Sequence, residues 1–296
     1  NSPVATKGEG IVVGIIDTGI NFESPSFAEV GPISGYQHIN PLGDGVYLGT
    51  CAEGKTDAGL CNAKLIGAYD STQAIAGNGT ANDTDGHGSH TGGTVAGNEW
   101  TASIGEIQAT ISGVAPNANI IAYKACPSSC PSTATARAVN QAILDGVDVI
   151  NYSISGGTSP WTDSTSVAFR NATAAGIFVA ASAGNDGPTE GSVNHMEPWV
   201  ETVAWSTHDE RIGATFSLSG DYTAPEETQN IVLVPGALPW PSAEMSDLPL
   251  IKSPTFDDGS NDGCADFPPV RSHGFKAILI GCSKIHLKMK NPINKV

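Results

Sequence analysis

The chain has 296 residues with 30 acidic and 14 basic side chains, a formal charge of −16, and only 15% of its residues are charged where about 25% is usual. An acidic balance of this size argues against non-specific attachment to nucleic acid or anionic membrane surfaces, and no apolar run approaches the ~20 residues a bilayer requires. Glycine (35) and proline (19) are abundant without any period, and 40% of the chain is apolar, as expected for a turn-rich globular protein of one large domain or two smaller ones.

In chain order, short apolar and β-branched runs alternate with segments of helical period, the pattern of a parallel sheet covered by helices. The predicted strands are Ile11 to Ile16, Lys64 to Tyr69, Ile120 to Lys124, Val147 to Tyr152, Ile177 to Ser182 and Thr202 to Trp205. A helix is predicted over Ser132 to Asp145, with Ser132 as its cap, Gly146 as its stop, and Ala138, Val139, Ala142, Ile143 and Leu144 on its apolar face opposite Arg137, Asn140 and Gln141. A second is predicted over Asp163 to Ala175, closed by Gly176, and a third begins at His87. From about Gly220 the helical period disappears and prolines recur at 225, 235, 239, 241, 249 and 254. Residues 1–220 therefore read as one α/β domain and residues 221–296 as a second, mainly β module. The last 26 residues hold six of the fourteen basic side chains and no acid, so the tail is either a basic surface or an atypical ending.

The chain opens at Asn1 with neither Met nor an apolar leader, and the expectation is that a signal peptide has been removed. Six cysteines form three sequence-local pairs, Cys51/Cys61, Cys126/Cys130 and Cys264/Cys282. Such spacing favours small disulfide-closed loops and an oxidising, secreted or periplasmic location. Three reduced pairs in a cytosolic protein are the alternative, and no Cys-x-x-Cys supports zinc. Three Asn-x-Thr triplets, at Asn78, Asn82 and Asn171, would accept glycans only in a eukaryotic secretory host.

Three segments could carry chemistry. Asp17 closes the apolar run Val13-Gly14-Ile15-Ile16, placing a carboxylate at the carboxyl edge of a strand, where open α/β sheets build their sites; an Asp that merely starts a turn is the alternative. Asp83-Thr84-Asp85-Gly86-His87-Gly88-Ser89-His90 sets His87 at a helix start, with glycines giving its ring room. The same acids and His90 make a metal site the rival reading. An EF-hand fails, because aligning Gly86 with the loop glycine puts Ala81 at the first ligand position and Gly92 at the bidentate one. No third His or Glu stands nearby for zinc, and His90 reads as a packed helix residue. The third segment, Ile177 to Gly184, delivers Asn185 to a tight turn, where its amide could face a developing oxyanion or simply serve the turn. Between them, Ser153-Ile154-Ser155-Gly156 follows a strand and offers a backbone edge to an extended peptide. Gly8 to Gly14 is not a dinucleotide fingerprint, since it precedes its strand, and neither a Walker sequence nor His-Glu-x-x-His is present.

Taken in order, the Asp17, His87 and Asn185 segments resemble the aspartate, histidine and oxyanion-asparagine motifs of the subtilisin-like serine proteases, over about residues 8 to 220. The chain order Asp, His, Ser is that family's. The resemblance implies an acyl-enzyme endopeptidase acting on polypeptides as a monomer without an organic cofactor, with calcium common among relatives. Asp17 would orient His87, His87 would act as base, Asn185 would donate to the oxyanion, and Ser153 to Gly156 would pair with substrate. It further implies that residues 221–296, with Cys264 and Cys282, are part of a protease-associated insertion. The nucleophile motif, Gly-Thr-Ser before Met or Ala, is missing after Asn185. Gly157-Thr158-Ser159 precedes Pro160 and reads as a loop. The expectation is therefore an N-terminal portion of a longer protease, inactive alone; the alternative is a non-catalytic peptide-binding homologue. Ser89 stands where Thr is usual, and Trp205, where a small residue is usual, is expected to alter packing near the pocket.

Overall fold

The computed structural model describes residues 6–72, 79–104 and 107–206, and beyond them two short strands at 214–216 and 231–233. The chain divides into two units, Asn1–Trp205 and Ser206–Val296.

In the first unit the apolar runs become strands β1 (Val12–Asp17), β2 (Leu48–Gly49), β3 (Leu65–Asp70), β6 (Asn119–Lys124), β7 (Val149–Tyr152), β8 (Phe178–Ser182) and β9 (Glu201–Val203), with β4 (Trp100–Ile104) and β5 (Ile107–Ile111) between them. Seven of these form a sheet in the order β2-β3-β6-β1-β7-β8-β9, and every pairing in it is parallel. Its interior strands β3 and β6 are buried at every position. A sheet covered on both faces needs continuous apolar runs rather than alternation, so these segments were the most legible in the sequence.

One face packs against α2 (Ser132–Asp145) and α3 (Ser164–Ala174) through Ile16, Ile66, Ile121, Tyr123, Ala138, Val139, Ile150 and Phe169. The other buries Val13, Ile15, Ile20, Phe27, Leu65, Ile120 and Ala122 beneath α1 (His87–Ala96). Thus successive residues of β1 serve opposite cores, as the two-residue period of a strand requires. No helix among the described residues is long and apolar enough to cross a membrane.

The helices depart from expectation at their edges. Pro131, not Ser132, occupies the cap position of α2, and no side chain caps that helix; the fixed φ of proline suits the entry. Asp163 caps α3 rather than opening it, accepting from the Thr165 and Ser166 N–H groups. Leu144 is 79% exposed, because it falls outside the stripe of Ala134, Ala138, Val139 and Ala142, while the Arg137 guanidinium donates to the Ser71 carbonyl. The antiparallel pair of β4 and β5 was missed, although Trp100-Thr-Ala-Ser-Ile104 and Ile107-Gln-Ala-Thr-Ile111 alternate with the period of a hairpin.

In the second unit, Ala214–Phe216 (β10) pairs antiparallel with Ile231–Leu233 (β11). Apart from Ile231–Leu233, residues 221–296, for which a mainly β module is expected, lie outside the described residues, Cys264 and Cys282 included.

Candidate active site

Parallel pairing brings the chemistry to one edge. β1, β7 and β8 are consecutive neighbours, with Ile16 opposite Tyr152 and Tyr152 opposite Ala181. Asp17, Ser153 and the turn to Asn185 consequently leave adjacent strands at the same carboxyl end.

α1 can begin at that end because Gly88, in its first turn, has no side chain to hold it off the sheet edge. A Cβ on Gly88 would lie 2.3 Å from the Gly19 carbonyl oxygen and 3.1 Å from Asp17 Cβ, so only glycine allows this approach. Gly86, at φ 103, supplies the left-handed residue that precedes the helix.

The approach sets His87 Nδ1 2.7 Å from Asp17 Oδ1. Asp17 is buried and the His87 side chain is half exposed. The carboxylate also accepts from the Thr18 N–H at 2.7 Å and from the Thr91 hydroxyl at 3.2 Å. With its oxygens receiving donors, Asp17 acts as an acceptor; Nδ1 therefore carries a proton, and Nε2 is left as the base.

Asp83 organises the helix start. Its Oδ1 accepts from the Thr18 hydroxyl and the Asp85 and Gly86 N–H groups, and its Oδ2 from the Ser89 N–H and hydroxyl. Burial pushes the Asp83 carboxyl up, but these hydrogen bonds outweigh it and hold it down at about 2. The donors filling both oxygens are the wrong partners for a cation, and among the described residues no three His, Cys, Asp or Glu converge. The rival metal reading of Asp83, Asp85, His87 and His90 therefore finds no ligand set among the described residues. Ser89 performs the hydroxyl's task in place of Thr, donating to Asp83 at 2.6 Å and accepting from the Asn21 N–H at 2.9 Å.

Asn185 is exposed in the turn after β8. Ser159 is an exposed turn residue whose carbonyl accepts from the Thr162 and Asp163 N–H groups ahead of α3. His90 is an exposed residue of α1 beside a cavity of about 280 Å³ lined also by Ser26, Thr94, Asn98, Trp100 and Ile111. Trp205 is 72% exposed.

The peptide edge is held from behind. The Gly156 N–H donates to Asn194 Oδ1 at 2.8 Å, the His195 N–H donates to the Gly156 carbonyl at 2.8 Å, and His195 Nε2 stands 3.0 Å from the Ile154 carbonyl oxygen. Asn194, His195 and Glu197 were missed in the sequence. The available signal was the ionisable pair His195 and Glu197 two residues apart in an otherwise apolar approach to β9.

Among the described residues two disulfides are present, Cys51–Cys61 and Cys126–Cys130, as the local pairing predicted for these four cysteines. The second closes the loop from β6 into α2, directly after Cys126 and Ala125 have donated their N–H groups to the Asp17 carbonyl.

A buried carboxylate hydrogen-bonded to a half-exposed imidazole at the carboxyl edge of a parallel sheet is an arrangement that can move a proton at the open side of the ring. Residues 8–249 match the subtilase family of peptidases, and the chain belongs to that family. It is 37% identical over 223 residues to the subtilisin-like protease SBT1.3 of Arabidopsis thaliana, covering 70% of this chain and 28% of that protein. It is 38% identical over 223 residues to SBT4.15 of the same plant, covering 72% and 28%. The solved structure of sphericase aligns over 79% of this chain and 61% of its own, with 21% identity and a TM-score of 0.45. The chain therefore spans under a third of the length of the curated relatives it matches.

Proposed function

We propose that the chain supplies the aspartate, histidine and oxyanion portion of a secreted subtilisin-like serine endopeptidase whose nucleophile lies outside these 296 residues. The observation that carries this reading is the 2.7 Å contact between buried Asp17 and half-exposed His87. In this scheme His87 Nε2 takes the hydroxyl proton of the attacking serine as its oxygen bonds to the peptide carbonyl, and then returns that proton to the leaving amine. Asp17 holds the tautomer and stabilises the imidazolium. Asn185 donates its amide to the tetrahedral oxyanion, and the segment Ser153 to Gly156 aligns the polypeptide substrate. Residues 221–296 would form part of an inserted protease-associated module. Two disulfides in the first unit support an oxidising, extracellular setting.

The test is labelling of the longer, serine-bearing protein with a fluorophosphonate. Labelling is expected, and His87→Ala is expected to abolish it. Labelling that survives His87→Ala would remove the base from the scheme. A natural protein with no serine downstream that neither labels nor cleaves, yet binds peptides, would establish the non-catalytic reading instead.

A further inference from the structure

The substrate edge has a second support that the proposed chemistry does not use. His195 and Glu197 are 1% and 3% exposed, an unusual burial for ionisable groups unless they are paired. His195 Nε2 faces the Ile154 carbonyl at 3.0 Å and Nδ1 faces Glu197 Oε1 at 3.1 Å. A carbonyl can only accept, so Nε2 carries a proton. A deprotonated Nδ1 would then set a lone pair against a carboxylate. One further proton must therefore lie between Nδ1 and Oε1, giving an imidazolium–carboxylate pair or its neutral equivalent.

The surroundings fit this single geometry. His195 adopts φ 49, the one non-glycine residue with positive φ among those described, a conformation that costs energy for a residue with a Cβ. Its N–H donates to the Gly156 carbonyl, and its own carbonyl accepts from the Thr202 hydroxyl. Ser166 donates its hydroxyl to Glu197 Oε1, and Tyr152 and Phe169 enclose the ring edge-on at 5.3 and 5.8 Å. Around the same loop, Asp186 accepts from Asn194 Nδ2 at 3.3 Å and Asp163 accepts from the Ser166 hydroxyl at 3.2 Å. A Cβ on Gly157 would lie 2.5 Å from both His195 Nδ1 and Glu197 Oε1, so the edge passes over the pair with no room to spare. Burial pushes the Glu197 carboxyl up, yet hydrogen bonds from His195 and Ser166 hold it below its ordinary value. Glu197 Oε2 is buried without a partner among the described residues. A pair with an orphaned oxygen is a poor source of stability, which points to a positional role.

We infer that His195 and Glu197, with Asn194, are the positioning residues that fix the Ile154–Gly157 edge in its substrate-receiving form. They occupy the Ile154 carbonyl and both backbone groups of Gly156. Ser155, between them, is exposed and its backbone N–H and C=O make no hydrogen bond to the described residues, so these are the groups of the segment left to a peptide. The inference rests on the function proposed above only in naming the ligand of that edge.

The experiment uses the serine-bearing protein and compares wild type with Glu197→Ala, Glu197→Gln and His195→Ala. For an oligopeptide long enough to run along the edge, Glu197→Ala and His195→Ala are expected to raise KM at least tenfold while kcat falls less than threefold. Amide exchange of the 153–157 segment is expected to accelerate at least tenfold. Glu197→Gln, which can donate to a neutral Nδ1, is expected to recover most of both. Unchanged KM and exchange in Glu197→Ala would overturn the inference, as would an equal loss in kcat and KM with no recovery in Glu197→Gln. Accelerated exchange rescued by Glu197→Gln in a protein that never labels would uphold the pair and defeat the protease reading.

Discussion

His87 Nδ1 and Asp17 Oδ1 stand 2.7 Å apart although they are separated by 70 positions in the chain. The carboxylate is sealed beneath the sheet edge and the ring is open to solvent on its far side. Asp17→Asn would present an amide that can donate to Nδ1, inverting the tautomer and turning Nε2 into a donor. Turnover in the serine-bearing protein is expected to fall ~10³–10⁴-fold with little change in KM. Steady-state kinetics on an active-site-titrated sample checks it, and a loss confined to KM would contradict the role given to Asp17.

Gly88 tests the approach that makes this contact possible. Gly88→Ala places a methyl 2.3 Å from the Gly19 carbonyl oxygen, which neither backbone can evade cheaply. A loss of ~1–3 kcal/mol of stability is expected, together with slowed fluorophosphonate labelling. Denaturant midpoints and labelling rates measured on the same preparation would show it.

Asp83 gathers the Thr18, Asp85, Gly86 and Ser89 donors into one knot. Asp83→Asn keeps the shape but replaces an acceptor oxygen with a donor, leaving one set of these donors without its acceptor, and is expected to cost ~1 kcal/mol. Because its folded value is held down to about 2, below the ordinary 3.8, its contribution is present above pH 3.8 and is lost as pH falls towards 2. Wild type minus Asp83→Asn, followed by urea unfolding between pH 2 and 6, isolates that loss.

His38 and Lys64 give the protein a pH dependence on either side of neutrality. Burial, with Lys64 nearby, pushes the His38 imidazole down to about 4 despite its hydrogen bond to Asn98. The unfolded chain therefore binds an extra proton between pH 6.5 and 4, and stability falls as pH drops through that window. His38→Gln is expected to flatten it.

Lys64 is fully buried, donating to the Pro116 and Ala118 carbonyls at 2.8 and 3.0 Å. Burial lowers it to about 7. Between pH 7 and 10.5 the unfolded chain holds the proton that the folded chain releases, so stability rises with pH there, by at most ~1.4 kcal/mol per unit. Lys64→Met should remove that slope; an unchanged slope would place the titration elsewhere.

How far the sequence led depends on the range of the interaction. The runs Val12 to Ile16 and Asn119 to Lys124 announced themselves because a strand covered on both faces must be apolar throughout. α2 showed its stripe at i, i+4 spacing. Asp17, His87 and Asn185 were visible because each closes or opens such an element beside small residues. Trp100 to Ile111 was overlooked although its alternation is local, whereas the task of His195 was not legible, since its partner carbonyl at Ile154 lies 41 residues away.

The sequence by itself determined the parallel α/β class, because hydrophobic period is a local property, and the resemblance of its Asp17, His87 and Asn185 segments to known motifs gave the family. Only the tertiary structure decided that Asp17 meets His87, that Asp83 is filled by hydrogen-bond donors, and that His195 lies against Glu197 under the edge. Those relations depend on strand register and on distances of about 3 Å between residues far apart in the chain, which no local pattern encodes.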